Sequence, residues 1–583
     1  MPSRNERTVH KHKINNSINR TFIMVLCGCF SGLNSEDELT KQIEDSSAQK
    51  LSAVGRAAYD ALKFKHAWHH HKMWNVTTGK TIGSLHQTPS ASVFKSSADP
   101  KDAHGDWFPD KMKEIMIKTT TWCDLMSLGP PDGIFLTKIK EALATICGTA
   151  KSSEKPIIIR MMFGNIVGMP TNCDKVLKEL TADLPPDNNI QLWVGAWRKG
   201  ASWNHAKMIA VDGRYLHTGG HNLWDSHYLK NNPVHDLSIE LEGRVTHDGH
   251  LFANEQWQYI QRKQSGCAGQ CAEKIPDGIP LIWQNRVTVS EYPIGKATEF
   301  PPKYFASEAP RYEIPDGSVP IITMGRQGAL IYKKPADDAF LAMIGAAKHV
   351  IRMSLQDLGP VCIPNTKFAL PGLKWPKPVL NALAKAIYLR GVDVEIVVSN
   401  PNSIPGGLSM TEANYGNGWT CVDVASEIVK RIKKMFPGAP NEKLRKMVNE
   451  NLRICFIRHA KSSTYADGKT IGNHSKFFII DDIASYTGSQ NLYMCDLAEW
   501  GVLIDDAAET KKMLKDFWNP LWAASYTAED CDVDAVMDGM NIDRDGEDVN
   551  AFTLDGRKKL QEAAKMNGGG GAHSTTYTIE GEE

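Results

Sequence analysis

A nine-residue segment occurs twice in this chain of 583 residues and constrains its fold more than any other feature. Residues 204–212 read NHAKMIAVD, residues 473–481 read NHSKFFIID, and each copy is followed by Gly-x-x-Asn. His, Lys, Asp, Gly and Asn thus recur at one fixed spacing, which chance does not explain within a single chain. The repeat predicts a duplicated fold in which two imidazoles and two ammonium groups serve one site, or two related sites.

The composition narrows the class of protein. The length is several times that of a usual domain, so two or more cores are expected, and 42% hydrophobic residues is ordinary for a soluble globular protein. Lys plus Arg equals Asp plus Glu at 67 each, so no overall positive field attracts the chain to nucleic acid or to an anionic membrane. Any anion must therefore be bound by local groups.

A short apolar run at residues 22–30 follows several basic residues. It is too short to span a bilayer, which takes about 20 residues, but it fits the core of a signal peptide. We therefore expect residues 1–32 to be a leader and the protein to be secreted or otherwise exported. The alternative is a short buried helix or strand in a cytoplasmic or membrane-peripheral protein, and the 12 cysteines do not decide between the two.

Strands and helices alternate in the same order before each motif. In the first half, strands are predicted at 119–127, 156–162 and 190–194, and helices at 134–147 and 174–180. In the second half, helices are predicted at 336–347, 378–389 and 422–435, and strands at 349–355, 392–399 and 452–457. This alternation predicts an α/β fold with two similar layered domains and largely parallel sheets.

The remaining segments complete the predicted organisation. It comprises the leader (1–32), an irregular N-terminal region (33–104), the first motif domain (105–262), a proline-rich connection (263–320), the second motif domain (321–528) and an acidic, glycine-rich tail (529–583). The histidine-rich run at residues 65–72 is expected to be solvated surface, because the sequence shows no further ligand group to close a metal site. No metal and no other cofactor is expected.

The motif strand and the residues after it predict a local geometry. His and Lys two positions apart project from the same face of a strand. Asp212-Gly213 indicates a two-residue hairpin, which would pair His205 with Gly220, and the same count in the second copy pairs His474 with Ser489. A small residue opposite each histidine would leave a void for a ligand.

The side chains of the two motifs are rich in hydrogen-bond donors. Two imidazoles, two ammonium groups and the carboxamides of Asn222 and Asn491 suit a tetrahedral anion, most naturally a phosphate. A neutral imidazole can attack phosphorus while an imidazolium protonates the departing alkoxide. Each histidine then needs a carboxylate to fix its tautomer, and Asp236 and Glu499, downstream of the two motifs, are the candidates.

Other histidines surround the first motif without a counterpart in the second. They are expected to line the pocket or lie on the surface rather than to act in catalysis: His217, His221, His227 and His235. A purely structural role for the motif histidines and lysines is the alternative to catalysis, and two complete copies count against it.

The pattern His-x-Lys-x4-Asp-x6-Gly-(Gly/Ser)-x-Asn, present twice, resembles the phospholipase D superfamily over residues 105–525. The resemblance implies two α/β/α sandwich domains related by a pseudo-twofold axis, with both motifs in one active site. It also implies metal-independent phosphodiester transfer in two steps through a phosphohistidine.

The resemblance also implies roles for individual residues. His205 corresponds to the nucleophile and His474 to the general acid, and Gly220 stands where the first half of the family usually has serine. The implied phosphate ligands are Lys207, Asn222, Lys476, Ser489 and Asn491. Structural support of the motifs is expected from Asp212, Asp481, Gly219, Gly220 and Gly488.

A phospholipid at a membrane or micelle surface is the expected substrate, converted to phosphatidic acid and a free head group or transferred to an alcohol. The neutral net charge and the aromatic residues beside the motifs favour an apolar entrance to the site. Core packing explains these aromatic residues equally well. They are Trp203, Trp224, Tyr228 and Trp500. The alternatives are a nuclease-like phosphodiesterase and a noncatalytic phospholipid-binding relative. The first lacks a basic stripe with interleaved aromatics, so nucleic acid is not expected as a partner, and we expect a monomer without a transmembrane segment.

Overall fold

A computed structural model describes most of the chain. The described residues are 35–95, 107–264, 288–292, 301–327, 334–360, 375–403, 419–492 and 497–543, apart from positions 152, 167–168, 186–187, 201, 230–232 and 402, together with residues 546, 558, 559 and 562. The predicted leader, most of the proline-rich connection and the glycine-rich part of the tail lie outside these residues.

Strands run through both halves of the described chain. They are β1 (Trp74–Thr81), β2 (His86–Thr88), β3 (Trp122–Met126), β4 (Ile157–Gly164), β5 (Ile190–Lys199), β6 (Ser202–Trp203), β7 (Met208–Val211), β8 (Tyr215–Gly219), β9 (Asp236–Glu242), β10 (Thr288–Tyr292), β11 (Val319–Arg326), β12 (Val350–Leu355), β13 (Asp393–Val398), β14 (Leu452–Phe456), β15 (Lys476–Ile480), β16 (Ala484–Gly488) and β17 (Glu499–Ile504).

The two halves share an order of six strands. It is β5-β4-β3-β7-β8-β9 in the first sheet and β14-β13-β12-β15-β16-β17 in the second. Strand β10 extends the first sheet beyond β5, and β11 extends the second beyond β17. Strand β1 joins them, because residues 74–79 pair with β11 and residues 80–81 pair with β9. The predicted duplicated α/β fold is therefore confirmed.

The expectation of largely parallel sheets holds only in part. Parallel pairing is confined to β3-β4-β5 in the first sheet and β12-β13-β14 in the second. The motif strand of each half continues through a short turn into its neighbour, and a short turn can join only antiparallel strands. Both sheets are consequently mixed.

Helices cover the sheets. They are α1 (Ser35–Gln49), α2 (Ala53–His66), α3 (Trp107–Met116), α4 (Gly133–Ala150), α5 (Cys173–Thr181), α6 (Asp225–Tyr228), α7 (Val245–Gln264), α8 (Pro335–Ala346), α9 (Lys377–Arg390), α10 (Cys421–Met435), α11 (Asn441–Asn451), α12 (Ala507–Met513), α13 (Asn519–Ser525) and α14 (Val533–Asp538). Every predicted helix and strand occurs within a few residues of its predicted bounds.

Local sequence explains these elements. Phe135, Ile139, Leu143 and Ile146 recur at helical spacing in α4 and are buried. Helix α10 begins with a capping box between Thr420 and Asp423, which satisfies two backbone N–H groups at its start.

Three apolar clusters make a layered body. One outer cluster packs α3, α4 and α5 against the first sheet, and the other packs α2 and α8–α11 against the second. The middle cluster joins the inner faces of both sheets with α7 and α13, through large side chains such as Trp193 and Trp500. The two halves therefore share a core, and the candidate site lies where they meet.

Three predicted segments are more ordered than the sequence indicates. The region 33–104 is not irregular, since it contains α1, α2, β1 and β2. Strand β10 lies within the predicted connection, and β11 begins before its predicted end. The first part of the predicted tail belongs to the folded body, because Val536, Met537 and Ile542 are buried in the second outer cluster.

No helix within the described ranges has the length and apolar character that a bilayer crossing requires.

Candidate active site

Each motif lies beside a segment of the opposite half. His205 precedes β7, and its main-chain N–H donates to the carbonyl oxygen of Ala498 at 2.7 Å. His474 precedes β15, and its N–H donates to the carbonyl oxygen of His235 at 2.7 Å. The two motifs thus meet at the junction of the halves, where His474 and its neighbouring lysine act electrostatically on His205.

The asparagine before each histidine holds its motif against the parallel strands. Asn204 donates through Nδ2 to the carbonyl oxygen of Ser127 at 2.8 Å, just after β3 ends. Asn473 donates through Nδ2 to Ser354 Oγ at 3.0 Å, near the end of β12. Both asparagines are fully buried, so each motif is fixed to its own sheet before it reaches the junction.

The two carboxylates that follow the motifs are exchanged between the halves. Asp236, at the start of β9, lies with Oδ2 2.6 Å from Nδ1 of His474. Glu499, at the start of β17, lies with Oε1 2.9 Å from Nδ1 of His205, although these two atoms are not aligned as a hydrogen bond. All four side chains are buried. Each imidazole therefore turns Nδ1 to a carboxylate of the opposite half.

The two carboxylates differ in their second partners. Glu499 Oε2 forms a buried ion pair with Nη2 of Arg326, which also donates to the carbonyl oxygen of Asn491 at 3.2 Å. Asp236 Oδ2 instead accepts a hydrogen bond from the Tyr228 hydroxyl at 3.0 Å. Burial raises the pKa of Glu499 to about 7, although Arg326 opposes the shift. His205 thus faces a carboxylate whose charge is neutralised by Arg326, whereas His474 faces a carboxylate bound to the neutral phenol of Tyr228.

Burial and mutual repulsion lower the pKa of the basic groups. Burial, followed by the nearby lysines, holds the pKa of His205 and of His474 well below the usual value. Burial also holds the pKa of Lys207 well below its usual value and lowers the pKa of Lys476 to about 8. An added anion would favour the charged forms, so the arrangement is suited to bind one.

Both lysines reach back to their own motif. Lys207 donates through Nζ to the carbonyl oxygen of His205 at 2.7 Å, and Lys476 donates in the same way to the carbonyl oxygen of His474. Lys476 also lies 3.4 Å from Gln356 Oε1. Equivalent positions in the two copies thus place equivalent amines, as the repeat predicts.

The predicted register of the motif hairpins is wrong by one residue. Val211 pairs with Tyr215, and Ile480 pairs with Ala484, so each loop has three residues instead of two. In the first copy, the loop at 212–214 begins with two residues at positive φ, 51° and 67°. Its third residue donates its N–H back to the carbonyl oxygen of Val211 at 2.9 Å before the ladder resumes. An Asp-Gly pair indicates a turn of this kind but does not fix its length.

The void expected opposite each histidine is also absent from the described site. Any side chain at Gly220 would collide with the carboxylate of Asp236, so the glycine makes room for that carboxylate and not for a ligand. Ser489 Oγ accepts from the N–H of Trp500 at 3.1 Å and lies 3.3 Å from its carbonyl oxygen. A role for Ser489 in phosphate binding stays a prediction, and its hydroxyl has a structural contact in this conformation.

The carboxamides beyond the glycines are buried beside the carboxylates. The N–H of Asn222 donates to the Tyr228 hydroxyl at 3.1 Å, and its side-chain Oδ1 makes no hydrogen bond. The N–H of Asn491 lies 3.3 Å from Glu499 Oε1. Both residues lie next to the exchanged carboxylates, and phosphate binding by their amides stays a prediction.

The motif aspartates lie past the far end of the motif strands. Asp212 accepts hydrogen bonds from the backbone N–H groups of Thr120, Thr121 and Trp122 at 2.7 to 3.0 Å. Asp481 accepts from the backbone N–H groups of residues 348–350 at 2.7 to 3.0 Å. Each aspartate therefore fastens the start of a parallel strand to the motif hairpin.

Several of the other histidines and aromatics of the sequence analysis are buried, and His217 and His221 line a small cavity beside Lys207. His221 bonds to Thr88 and Ser238 through both ring nitrogens at 2.7 Å, and His235 stacks on a phenylalanine in the core. Tyr228 and Trp500 are at most 1% exposed, so they do not line an entrance. Half-buried aromatic surface beside the motifs is provided by Trp203 and Trp224.

Sequence reasoning missed two residues of the site. Arg326 lies on β11, far from either motif in sequence, and Tyr228 was considered only for an entrance or for core packing, whereas its hydroxyl bonds to Asp236. Neither has a counterpart in the repeat, so repetition could not reveal them. A lone arginine within the apolar strand Val319–Arg326 was the available signal, because a buried arginine needs an anionic partner.

Comparisons with known proteins agree with the motifs. No family model matches the chain. Phospholipase D of Streptomyces antibioticus is 25% identical over 512 residues, which cover 78% of this chain and 84% of that protein.

Two solved structures are also similar. The phosphatidylserine synthase of Haemophilus influenzae Rd KW20 is 11% identical, with a TM-score of 0.46, over 89% of this chain and 98% of that one. The phospholipase D family member Nuc of Salmonella typhimurium is 18% identical, with a TM-score of 0.19, over 33% of this chain and 89% of that one.

Proposed function

The chain belongs to the phospholipase D superfamily, and from this premise we propose that it cleaves the phosphodiester bond of a glycerophospholipid to give phosphatidic acid and a free head group. The observation that carries the proposal is the pair of exchanged contacts, His474 with Asp236 and His205 with Glu499. Two histidines oriented by two carboxylates at one buried junction are what a two-step phosphoryl transfer needs.

In the first step, Nε2 of neutral His205 attacks phosphorus and the bond from phosphorus to the head-group oxygen breaks. His474, protonated when the anionic substrate binds, gives its Nε2 proton to the departing alkoxide. In the second step His474, now neutral, takes a proton from water or an alcohol as that oxygen attacks the phosphohistidine. The bond from phosphorus to His205 then breaks, and both imidazoles return to their starting state.

The unequal surroundings of the carboxylates support this division of roles. Arg326 neutralises Glu499, so His205 gains little stabilisation as an imidazolium and stays neutral, as a nucleophile must. The further hydrogen bonds of Asp236 come from neutral donors, the hydroxyl of Tyr228 and the main-chain N–H of Leu237, so its charge stays available to stabilise protonated His474. A general acid has to carry that proton.

Lys207, Lys476, Asn222 and Asn491 are proposed to hold the nonbridging oxygens of the phosphate. The two amines are buried and burial depresses the pKa of both, so a phosphate between them would offset the cost of burying their charge. The same contacts become stronger as negative charge develops on those oxygens in the transition state.

The choice of a phospholipid rests on two observations. The relative with the long sequence match is named phospholipase D, and Lys plus Arg balances Asp plus Glu, which gives the chain no general attraction for nucleic acid. Transfer of the phosphatidyl group to an alcohol uses the same intermediate and is proposed as a second outcome of the same chemistry.

The proposal is tested with two substrates and a vesicle-binding assay in parallel. We expect choline and phosphatidic acid to be released from phosphatidylcholine micelles, single-stranded DNA to stay intact, and His205→Ala to abolish release. The matched control is His349→Ala, an exposed histidine of the second half, which should retain full activity. Cleavage of DNA without lipid cleavage would indicate the nuclease, and vesicle binding without any cleavage would indicate a noncatalytic relative; either result overturns the proposal.

A further inference from the structure

A second cluster of ligand-type side chains lies away from the two motifs. Glu44 of α1 meets His70 and His71, which precede β1, and one ligand atom from each lies within 4.8 Å of the others. Glu44 Oε1 is 3.2 Å from Nδ1 of His71, and Glu44 Oε2 is 3.9 Å from Nε2 of His70. Within the part of the chain that the structure describes, no other group of three or more His, Cys, Asp or Glu side chains is arranged in this way.

The carboxylate of this cluster faces a small cavity. The cavity has a volume of about 60 Å³ and is lined by Glu44, His71, Asn75 and Asp248, among others. Glu44 Oε1 is buried without a hydrogen bond, and the Asp248 carboxylate is also buried. Arg244 lines the same cavity and offsets part of the negative charge of these two carboxylates, and a cation on the side of the imidazoles would offset more of it.

The two histidines are reachable from solvent. The side chain of His71 is 47% exposed and that of His70 is 29% exposed, whereas that of Glu44 is 13% exposed. A cation can therefore enter from the side of the imidazoles and meet the carboxylate behind them. The sequence alone indicated a solvated histidine run because the missing ligand comes from a helix more than 20 positions earlier.

We propose that Glu44, His70 and His71 bind one divalent cation of the zinc class. Two imidazoles and a carboxylate, with water in the fourth position, are a common tetrahedral donor set for zinc. Bonds of about 2.0–2.2 Å place tetrahedral ligand atoms about 3.3 Å apart. His71 Nδ1 is already 3.2 Å from Glu44 Oε1, whereas His70 Nε2 is 3.9 Å from the other carboxylate oxygen and has to move closer.

Binding requires one local rearrangement. Nε2 of His70 lies 2.9 Å from Oδ1 of Asn75, and a ring nitrogen that binds a metal cannot also donate a proton. His70 would therefore keep its proton on Nδ1 and release that hydrogen bond. The Asn75 carboxamide keeps its other contacts, since Oδ1 accepts from the N–H of Val76 at 2.9 Å and Nδ2 donates to Asp248 at 3.0 Å.

The position of the cluster gives the cation a structural role. Helix α1 carries Glu44, and the histidines lead into β1, the strand that pairs with both sheets. A cation at this point would fasten the N-terminal helix to the strand that joins the two halves. It would stabilise the fold without touching the phosphate chemistry.

The test uses the untagged full-length protein, stripped of metal with chelator and titrated with zinc chloride by calorimetry. We expect one strong site per chain that is at least about 100-fold weaker in His71→Asn and in Glu44→Gln, since the loss of a direct ligand exceeds the 10- to 100-fold typical of outer contacts. His349→Asn, an exposed histidine outside the cluster, is the matched control and should bind zinc as the parent does. Zinc should also raise the melting temperature of the parent and leave that of His71→Asn unchanged.

Substitution with cobalt separates this site from zinc binding by cysteines. We expect the visible bands of cobalt bound by nitrogen and oxygen, without a thiolate charge-transfer band. The test needs only the parent protein, so it decides the matter even if Glu44→Gln fails to fold. Zinc binding unaffected by His71→Asn, a thiolate band, or no strong site at all would each overturn the proposal.

Discussion

Replacement of Asp236 by asparagine isolates the proposed general acid. The Asp236 carboxylate is fully buried and lies 2.6 Å from Nδ1 of His474. A hydrogen bond to a charged group contributes about 1.5–3 kcal/mol, and each 1.36 kcal/mol changes a rate tenfold. Asp236→Asn should therefore lower the rate of head-group release from phosphatidylcholine by about 10- to 150-fold.

The leaving group distinguishes the two histidines. A p-nitrophenyl ester of phosphatidic acid expels an anion that is stable near neutral pH and does not need a proton from His474. Asp236→Asn and His474→Ala should therefore regain a rapid burst of one p-nitrophenolate per enzyme, after which phosphohistidine persists on His205. Glu499→Gln and His205→Ala should show no such recovery, because they impair the attack itself.

The assay is rapid-mixing absorbance for the burst, with mass spectrometry of the quenched protein for the adduct. Asp183→Asn, which changes a carboxylate that is 77% exposed, is the control and should behave as the parent does. An adduct on His474, or rescue of Glu499→Gln but not of Asp236→Asn, would reverse the assigned roles. Equal rescue of both would refute the division of labour.

Three further predictions concern the groups around the histidines. Tyr228→Phe removes a hydrogen-bond donor from Asp236 and so makes that carboxylate a stronger partner for protonated His474. The alkaline limb of the profile of kcat/KM against pH should therefore move to higher pH, while turnover falls about tenfold. Inhibition by inorganic phosphate should weaken as pH rises through about 8, where Lys476 loses its proton, and Lys476→Met should weaken inhibition at low pH and remove that transition. Arg326→Met leaves Glu499 buried without its cation and should lower the free energy of unfolding in urea by about 3–5 kcal/mol. The double variant Arg326→Met/Glu499→Gln should recover part of this loss. An unchanged midpoint of unfolding would show that the ion pair does not stabilise the fold.

Repetition and periodicity were the informative parts of the sequence. The two His-x-Lys copies located the candidate site because identical side chains at identical spacing do not depend on knowledge of the fold. Alternation of apolar runs likewise located α4 and the parallel strands, whose burial is nearly complete. Helix α2 was not predicted, although Val54, Ala58 and Leu62 recur at helical spacing and are buried in the core of the second half.

The features that sequence reasoning missed depend on tertiary contacts. Asp236 follows the first motif but serves the second histidine, and Glu499 does the reverse, because the segment before each carboxylate pairs with the opposite motif. The order of residues along the chain does not reveal that the two carboxylates are exchanged between the halves. Arg326 contacts Glu499, which is 173 positions away in sequence. The motif hairpins have one loop residue more than predicted, because turn propensity indicates a turn without fixing its length.

The exchanged carboxylates also explain why the duplication is kept in one chain. Each half supplies an imidazole that lacks a carboxylate of its own and a carboxylate that serves the other imidazole. A separated half would leave that carboxylate buried without its partner, or exposed to water, and would orient neither histidine. The same exchange lets the two surroundings diverge, with Arg326 against Glu499 and Tyr228 against Asp236. Two copies of one motif can therefore differ in proton affinity, which suits the separate roles proposed for the nucleophile and the acid.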